Sequence, residues 1–369
     1  MFPRILEAYG LPEDQCSILP FGTGLINHTW KVTCGPASYI LQRINDGVFH
    51  HPSLIAENME SLAFYLQTHH PEYLFVKPLN TLDGRNLVQS QDGYFRLVPF
   101  ITGSHTIDVV SATDQAYQAA RQFGKFTSLL AGFPIGRLHL TLPDFHNLSL
   151  RYSQFEDALQ HGNPVRIDAT RDHIDILRSF RDIVHTFEDI RHHSGFRLRV
   201  THHDTKISNV LFDETGHGLC VIDLDTVMPG YFISDLGDMM RTYLSPVSEE
   251  EKDMDRIIIR DEYFSAIVRG YLSEMKDELS AAEMEHIVYA GKFMIYMQAL
   301  RFLTDHLNDD RYYGAKYEGH NLVRAVNQLT LLQRLTEKEH RLSKMVQESQ
   351  NEPPVRCPEP KGSDQGLKY

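Results

Sequence analysis

The sequence predicts an α+β protein of two lobes, in which a small antiparallel-sheet N-lobe precedes a mostly helical C-lobe. Residues 17–101 hold short apolar runs separated by turn residues, with one stretch of helical periodicity among them. After residue 101 helical periodicity dominates and one short strand pair interrupts it. We therefore expect an N-lobe over residues 1–102, a C-lobe over 103–346 and a flexible tail over 347–369.

The N-lobe begins with a predicted β-meander of three strands over residues 17–45. A Gly-containing bend separates the first two strands, and the segment CGPAS forms the second turn. A helix follows, because apolar residues recur at helical spacing at Leu54, Ile55, Met59, Leu62, Ala63 and Leu66. The segments FVKPLNT and YFRLVPFI then read as two further strands.

The C-lobe pattern is helical in AYQAARQFGKFTSLLAG, over residues 167–191 and over residues 249–346. Two apolar runs on either side of ETGHG predict a short hairpin between these helical regions. The last residues are rich in proline and polar side chains, which is typical of a flexible tail.

Composition excludes some classes of function. The formal net charge of -13 disfavours nucleic-acid binding, which depends on Lys and Arg neutralising phosphates. The sequence shows neither a secretory signal nor a long apolar run, so we expect a cytoplasmic protein that does not span a membrane. It does not define the oligomeric state.

The cysteines predict reduced thiols and not a disulfide framework. Cys16, Cys34, Cys220 and Cys357 are scattered and form no CxxC pair. Cys34 and Cys220 lie in apolar, strand-like surroundings, so we expect each to be a small buried apolar residue.

The strongest chemical signal lies within residues 201–225. His202 precedes Asp204 by two residues, Asn209 follows Asp204 by five, and Asp223 ends an apolar run beyond the predicted hairpin. An H-x-D loop with an asparagine at this spacing is typical of phosphoryl transfer, which needs a base for the acceptor hydroxyl and oxygen ligands for magnesium. A metallohydrolase that uses His202, His203 and Asp204 as ligands is an alternative, but no HExxH or HxH set completes such a site.

Residues 201–241 resemble the catalytic segment of the aminoglycoside phosphotransferase superfamily, which has a protein-kinase-like fold. More narrowly, the segments FGTGLINHTW, YILQRIN, PDFHN, RFLTDHLNDDRYYG and EGHNLVRAVNQL are similar to those of the N-acetylhexosamine 1-kinases. The narrower resemblance implies that ATP and Mg²⁺ serve to phosphorylate the C1 hydroxyl of an N-acetylhexosamine. It also implies that Asp204 is the catalytic base, that Asn209 and Asp223 are the magnesium ligands, and that Asp235 braces the catalytic loop. Asp225 is a weaker metal candidate.

The nucleotide site is predicted less sharply. Gly22 and Gly24 form a bend suited to ATP phosphates, but Asn27 occupies the third position of the G-x-G-x-x-G pattern. The third strand has no lysine, and Gln42 and Arg43 compete to face the phosphates because neighbouring strand residues point to opposite sides. If Arg43 points inward, Glu57 on the following helix is its expected partner. The adenine is expected at a hinge over residues 98–103.

The acceptor candidates are His146, Arg301 and Tyr312, with Asp305 and His28 as lesser ones. Arg301 lies in the apolar helix FMIYMQALRFL, where an arginine needs a ligand or a carboxylate partner such as Asp235 or Asp238. A kinase for another acceptor (an aminoglycoside, choline, homoserine or a different sugar) and a non-catalytic nucleotide-binding module remain alternative functions.

Overall fold

The two-lobed α+β fold is confirmed. A computed structural model describes residues 2–22 and 26–351. The N-lobe consists of α1 (Phe2–Ala8), β1 (Cys16–Pro20), β2 (His28–Cys34), β3 (Ala37–Ile44), α2 (Pro52–His69), β4 (Val88–Ser90) and β5 (Gly93–Pro99). Its five strands form one antiparallel sheet in the order β1-β2-β3-β5-β4.

The two faces of this sheet have different neighbours. Leu41, Phe95 and Leu97 point to one face and form a small core with α1. Ile44 and Val98 point to the other face and join the large core that includes the helical lobe. Because side chains alternate along a strand, a polar residue next to one of these apolar residues points to the opposite face of the sheet.

The cysteine prediction was wrong for one pair. Strand pairing places Cys16 directly opposite Cys34, with Cα atoms 4.3 Å apart, and the two form a disulfide. Cys34 is therefore half of a cross-strand bond and not an isolated apolar residue. Cys220 is fully buried, as expected for a small apolar residue. Cys357 lies outside the described residues.

One predicted strand was also wrong. Residues 75–81 carry no strand, although Leu79 N donates a 2.7 Å hydrogen bond to Leu97 O. Pro78 lacks the N–H that a ladder requires, so the segment crosses the sheet without pairing along it. β5 pairs with β3 on one side, and its partner on the other side is the short β4.

Helix α2 is tied to the C-lobe by one buried amide. The Nδ2 atom of Asn58 donates to His139 O at 2.9 Å and to Val227 O at 3.2 Å. Its Oδ1 atom accepts from His139 N at 2.8 Å, and the side chain is 1% exposed. A fully satisfied buried amide of this kind fixes the geometry between the elements that it joins.

The C-lobe contains short strands and many helices. Its strands are β6 (Ser104–His105), β7 (Arg199–Thr201), β8 (Val210–Asp213), β9 (Gly218–Val221) and β10 (Met228–Gly230). Its helices are α3 (Thr113–Leu129), α4 (Leu148–His161), α5 (Pro164–Ala169), α6 (Arg171–Ser179), α7 (Asp182–His192), α8 (Phe232–Tyr243), α9 (Asp261–Met275), α10 (Ala281–Glu285), α11 (Ile287–Leu307), α12 (His320–Glu337) and α13 (Glu339–Asn351). The predicted hairpin is β8–β9, β6 extends it to three strands, and β7 pairs with β10.

The C-lobe core explains the long apolar pattern of its helices. Helix α11 packs against α8, α12 and α4, and buries most of its length. Helix α3 packs closely on α9, where Gly270 lies against the backbone of Tyr117 and leaves no room for a Cβ. The helix predicted over residues 167–191 is divided in the structure among α5, α6 and α7.

The expected tail boundary at residue 347 was too early. Helix α13 continues to Asn351, and the rest of the predicted tail lies outside the described residues. The apolar period of α13, which buries Leu342 and Val346, carries the helix past the expected boundary. None of the described helices is both long and apolar enough to cross a bilayer.

Candidate active site

The H-x-D loop is braced by the first turns of α8. The carboxylate of Asp235 accepts from His202 N at 2.9 Å and from His203 N at 2.7 Å. One turn later, Asp238 accepts from Thr205 N at 2.9 Å. These bonds satisfy backbone donors in a buried loop, so Asp235 has the bracing contacts that the resemblance implies.

The two histidines of the loop are structural. The Nε2 atom of His202 lies 2.9 Å from Ile222 O, and Phe123 packs edge-on against the ring at 5.1 Å. His203 has the left-handed φ of +66°, and its ring lies against Gly230, where a Cβ would clash. Burial lowers the pKa of His203 to about 4, so its ring is neutral near pH 7. The loop thus turns sharply just before Asp204.

Asp204 is held at the mouth of this loop and remains accessible. Its side chain is 22% exposed. The Nδ2 atom of Asn209 donates to Asp204 O at 2.8 Å and to Asp204 Oδ2 at 3.1 Å, which orients the carboxylate. Lys206 Nζ lies 3.1 Å from the same Oδ2. One carboxylate oxygen is thus anchored, and the other accepts no hydrogen bond from the described residues.

Strand pairing brings Asn209 and Asp223 to the same end of the β8–β9 hairpin. Val210 pairs with Val221, and Ile222 N donates to Asn209 O at 2.9 Å. Asp223 then leaves the strand with a φ of +60°, a left-handed conformation that Asp adopts more readily than most residues. The spacing in the sequence therefore becomes proximity at one hairpin end.

Three carboxylates influence one another at this point. The pKa of Asp223 is raised to about 7, mainly because the surrounding protein displaces water from the carboxylate and secondly because Asp225 and Asp204 are negatively charged. The side chain nevertheless opens to solvent in the cleft. Among the described residues, none donates a hydrogen bond to the Asp223 carboxylate. A magnesium ion fits this place, because it prefers oxygen ligands with free lone pairs and is attracted by the clustered negative charge. Asn209 and Asp223 would be its ligands.

A buried arginine, which the sequence patterns did not indicate, faces this site. Arg96 on β5 is 3% exposed; its Nη1 atom forms an ion pair with Asp225, and its Nε atom donates to Gln42 Oε1 at 2.9 Å. Gln42 lies directly opposite Arg96 in the sheet. The neighbouring strand therefore places a buried cation, paired with Asp225, next to Gln42.

The register of β3 decides between Gln42 and Arg43. Gln42 shares the cleft face with Arg96, whereas Arg43 lies on the opposite face against Gly93. The prediction of Arg43 as a phosphate ligand is wrong in this structure. The expected Glu57–Arg43 pair is wrong too, because Glu57 Oε2 lies 2.9 Å from His139 Nε2.

Asn27 accounts for the departure from the three-glycine pattern. Its Nδ2 atom donates to Asp225 Oδ2 at 2.7 Å, and its Oδ1 atom accepts from Asn45 N at 3.0 Å. A glycine could make neither bond, so the loop is tied to the cleft by a side chain. Gly22 has a φ of +78°, which favours glycine, and Gly24 lies outside the described residues.

The Arg96–Asp225 pair predicts a large effect on stability. Arg96→Met should lower the free energy of unfolding by about 3–5 kcal/mol, because it leaves a buried carboxylate without its cation. Urea denaturation measures this change. Arg43→Met is the matched control on the same sheet, and it should cost less than about 1 kcal/mol. Equal losses in the two variants would contradict the role assigned to Arg96.

The acceptor candidates gather beside the catalytic loop. The ring of His146 lies 5.1 Å from that of His203 and stacks on Phe145 at 4.5 Å. The guanidinium of Arg301 lies 5.8 Å from the Phe145 ring and 5.9 Å from the Tyr312 ring. Burial, and after it the positive charges nearby, lowers the pKa of His146 well below its usual value, and its buried Nδ1 has no partner among the described residues.

The alternative structural partners of Arg301 are not used. Asp235 accepts from the catalytic-loop backbone, and Asp238 accepts from Thr205 and pairs with Arg241. Arg301 Nη1 instead donates to Gln298 Oε1 at 3.2 Å. Asp305 is occupied by the backbone N–H groups of Tyr312 and the residue after it, so it shapes the loop that carries Tyr312.

Comparisons with known proteins agree with this arrangement. Residues 17–279 match the phosphotransferase enzyme family (APH). Among solved structures, a microcompartment-associated aminopropanol kinase is 17% identical, with a TM-score of 0.62 over 93% of this chain and 98% of that one. An aminoglycoside phosphotransferase from Alicyclobacillus acidocaldarius is 11% identical, with a TM-score of 0.62 over 94% and 97%.

A choline kinase from Cryptosporidium parvum is 14% identical, with a TM-score of 0.57 over 94% of this chain and 98% of that one. At these identities the solved structures establish the fold. The family match covers most of the chain, including the H-x-D loop, Asn209 and Asp223. This chain therefore belongs to the phosphotransferase enzyme family.

Proposed function

We propose that this protein is an ATP-dependent kinase that transfers the γ-phosphoryl group to the C1 hydroxyl of an N-acetylhexosamine, yielding ADP and the sugar 1-phosphate. The observation that carries the proposal is the arrangement of Asp204, Asn209 and Asp223 at one end of the β8–β9 hairpin, opposite the buried Arg96. In this proposal residues 1–102 bind the nucleotide, and residues 103–346 carry the catalytic loop and the acceptor site.

The nucleotide lies between the sheet and the hairpin. Its adenine rests against residues 98–103, and its phosphates lie beneath the bend at Gly22, with Gly24 proposed in the same loop. Gln42 faces these phosphates from the sheet with the Arg96–Asp225 pair buried behind it, and Lys206 faces them from the catalytic loop. Burial opposes the charge of Lys206, but Asp204 outweighs it and raises the Lys206 pKa, so the ammonium group stays charged.

Magnesium, held by Asn209 and Asp223, would neutralise charge on the phosphates. The chain's own residues do the remaining work. Asp204 orients the attacking hydroxyl and accepts its proton late, as expected for a loose transition state. Asn209 keeps the Asp204 carboxylate aimed, and Lys206 stabilises negative charge that develops on the transferred group.

The acceptor is proposed to lie against His146, Arg301 and Tyr312. These side chains offer hydrogen-bonding groups and aromatic faces one residue layer away from the loop that carries Asp204. A polyol is recognised where its hydroxyls find such partners. The choice of an N-acetylhexosamine is supported further by the similarity of five sequence segments to the N-acetylhexosamine 1-kinases.

An ADP-release screen tests the proposal. N-acetylglucosamine, N-acetylgalactosamine, plain hexoses, choline, aminopropanol, ethanolamine and an aminoglycoside are offered with ATP and Mg²⁺, and phosphorus NMR locates the new phosphate. We expect an N-acetylhexosamine to give the highest kcat/KM and the phosphate to be on C1. A higher value for an amino alcohol or an aminoglycoside would reassign the acceptor. Nucleotide binding without turnover of any acceptor would indicate a non-catalytic module.

A further inference from the structure

A cavity of about 630 Å³ opens in the C-lobe beside the proposed acceptor site. It lies between α4, α11 and the loop that follows α11. Arginines and aromatic residues dominate the part nearest the acceptor site, which is formed by Arg151, Arg301, Thr304, Tyr312 and Tyr313. The volume of the cavity exceeds that of one small polar group, so the chemistry of the lining residues determines which ligand it can bind.

Arg151 reaches this cavity with donors that have no charged partner in the part of the chain that the structure describes. Its Nη1 atom donates to Gln154 Oε1 at 3.0 Å, and its Nη2 atom donates to Asp144 O at 3.0 Å. Its Nε atom is buried and has no hydrogen-bond partner among the described residues. An unpaired N–H on a partly buried guanidinium is costly unless a ligand accepts from it.

Arg301 is the second cation, and within residues 2–22 and 26–351 it too has no carboxylate partner. Its hydrogen bond goes to the neutral side chain of Gln298, and the rings of Phe145, Tyr312 and Tyr313 surround it at 5.4–5.9 Å. Thr304, one turn further along α11, buries an Oγ1 atom that has no partner among the described residues. The lining therefore offers two guanidinium groups and a hydroxyl to one ligand.

The acids that line the cavity do not neutralise these arginines. Both oxygens of Asp305 accept hydrogen bonds, from the backbone N–H groups of Tyr312 and Tyr313 and from Asn321 Nδ2. Asp157 is exposed, and its Oδ1 atom lies 2.9 Å from His161 Nδ1. Burial, and after it the positive charge of Arg301, lowers the pKa of Arg151. The two cations therefore repel each other until an anion binds.

Two stacked rings lie between the cavity and the catalytic loop. Phe145 contacts Arg301 on one side and stacks on His146, whose ring faces His203 next to Asp204. A sugar with its C1 hydroxyl at Asp204 would place its opposite end toward the arginines. The rings of Phe145 and His146 lie between the arginines and the catalytic loop, so a substituent at the far end of an acceptor held along these rings would meet the arginines.

We propose that Arg151 and Arg301 bind an oxyanion carried by the acceptor at the end remote from the phosphorylated hydroxyl. A carboxylate, a phosphate ester and a sulfate ester each present at least two negatively charged oxygens, which guanidinium groups bind through paired N–H···O hydrogen bonds. The inference rests on the proposed function, because it extends the same acceptor site from a neutral to an acidic N-acetylhexosamine.

Equilibrium binding tests the inference without depending on turnover. The full chain with Mg²⁺-ADP is titrated calorimetrically with N-acetylglucosamine, its 6-phosphate, its 6-sulfate and the corresponding uronic acid. We expect at least one anionic sugar to bind about tenfold or more tightly than the neutral sugar, with a preference that weakens as salt is added. Arg151→Met should remove that preference, whereas the charge-matched control Arg178→Met, on the exposed side of α6, should keep it.

The outcomes separate the two proposals. Equal affinity for neutral and anionic sugars, or a preference that survives Arg151→Met, overturns the oxyanion site and leaves the proposed kinase function standing. If no N-acetylhexosamine, neutral or anionic, binds or is phosphorylated while another acceptor in the screen is, both proposals are wrong. Phosphorylation of an anionic sugar with a higher kcat/KM than its neutral counterpart, lost in Arg151→Met, supports both.

Discussion

Asp204→Asn should lower kcat by about 10³-fold or more, while the Kd for ATP changes by less than about threefold. Asparagine keeps the size of the side chain and can still accept the hydrogen bond from Asn209, but it cannot take up a proton. The acceptor hydroxyl would then be held in place without a base. Steady-state kinetics and nucleotide titration measure the two effects separately.

Glu214→Gln is the matched control for this variant. Glu214 lies in the exposed turn of the β8–β9 hairpin, which follows the loop that carries Asp204. Its substitution therefore removes one negative charge outside the cleft. It should leave both constants near the wild-type values. If Asp204→Asn kept more than a tenth of the wild-type kcat, Asp204 would not be the base, and the proposed mechanism would be wrong.

Asp223→Asn should affect the dependence on magnesium as well as the rate. We expect kcat/KM for ATP to fall by about 10²–10³-fold, and the magnesium concentration at half-maximal rate to rise by about tenfold or more. Asparagine is the informative replacement because, like aspartate, it accepts the φ of +60° at this position. Alanine would add backbone strain and confuse the result.

The two aspartate variants should therefore have different signatures. Asp204→Asn loses turnover at unchanged nucleotide affinity, whereas Asp223→Asn loses nucleotide affinity and responds to added magnesium. An unchanged magnesium requirement in Asp223→Asn would contradict its assignment as a ligand. The Glu214→Gln control applies to both experiments, because all three residues lie in or beside the β8–β9 hairpin.

Local spacing made the centre of the site predictable. His202, Asp204, Asn209 and Asp223 lie within 25 residues, and one hairpin converts their spacing directly into geometry. Their proposed roles stay predictions, since the structure places the residues but does not test what they do. Lys206 belongs to the same segment, and its position two residues after the loop aspartate is the signal in the sequence that marks it as a further charged group of the site.

The rest of the site depends on pairing between residues that are far apart in the sequence, and local patterns do not predict such pairing. Arg96 and Asp225 are 129 residues apart, and an arginine within a strand carries no local mark of its partner. The choice between Gln42 and Arg43 depended on the register of β3 against β5, where a one-residue difference exchanges the two faces. The Cys16–Cys34 bond likewise followed from the pairing of β1 with β2, which cysteine spacing alone does not show.

The amide of Asn58 has a consequence for regulation. In protein kinases the helix at the position of α2 can be repositioned to switch activity. Here any outward swing would break three hydrogen bonds at once and leave two backbone carbonyls, one backbone N–H and the Asn58 carboxamide without their partners. We therefore expect α2 to keep one position relative to the C-lobe whether or not a nucleotide is bound.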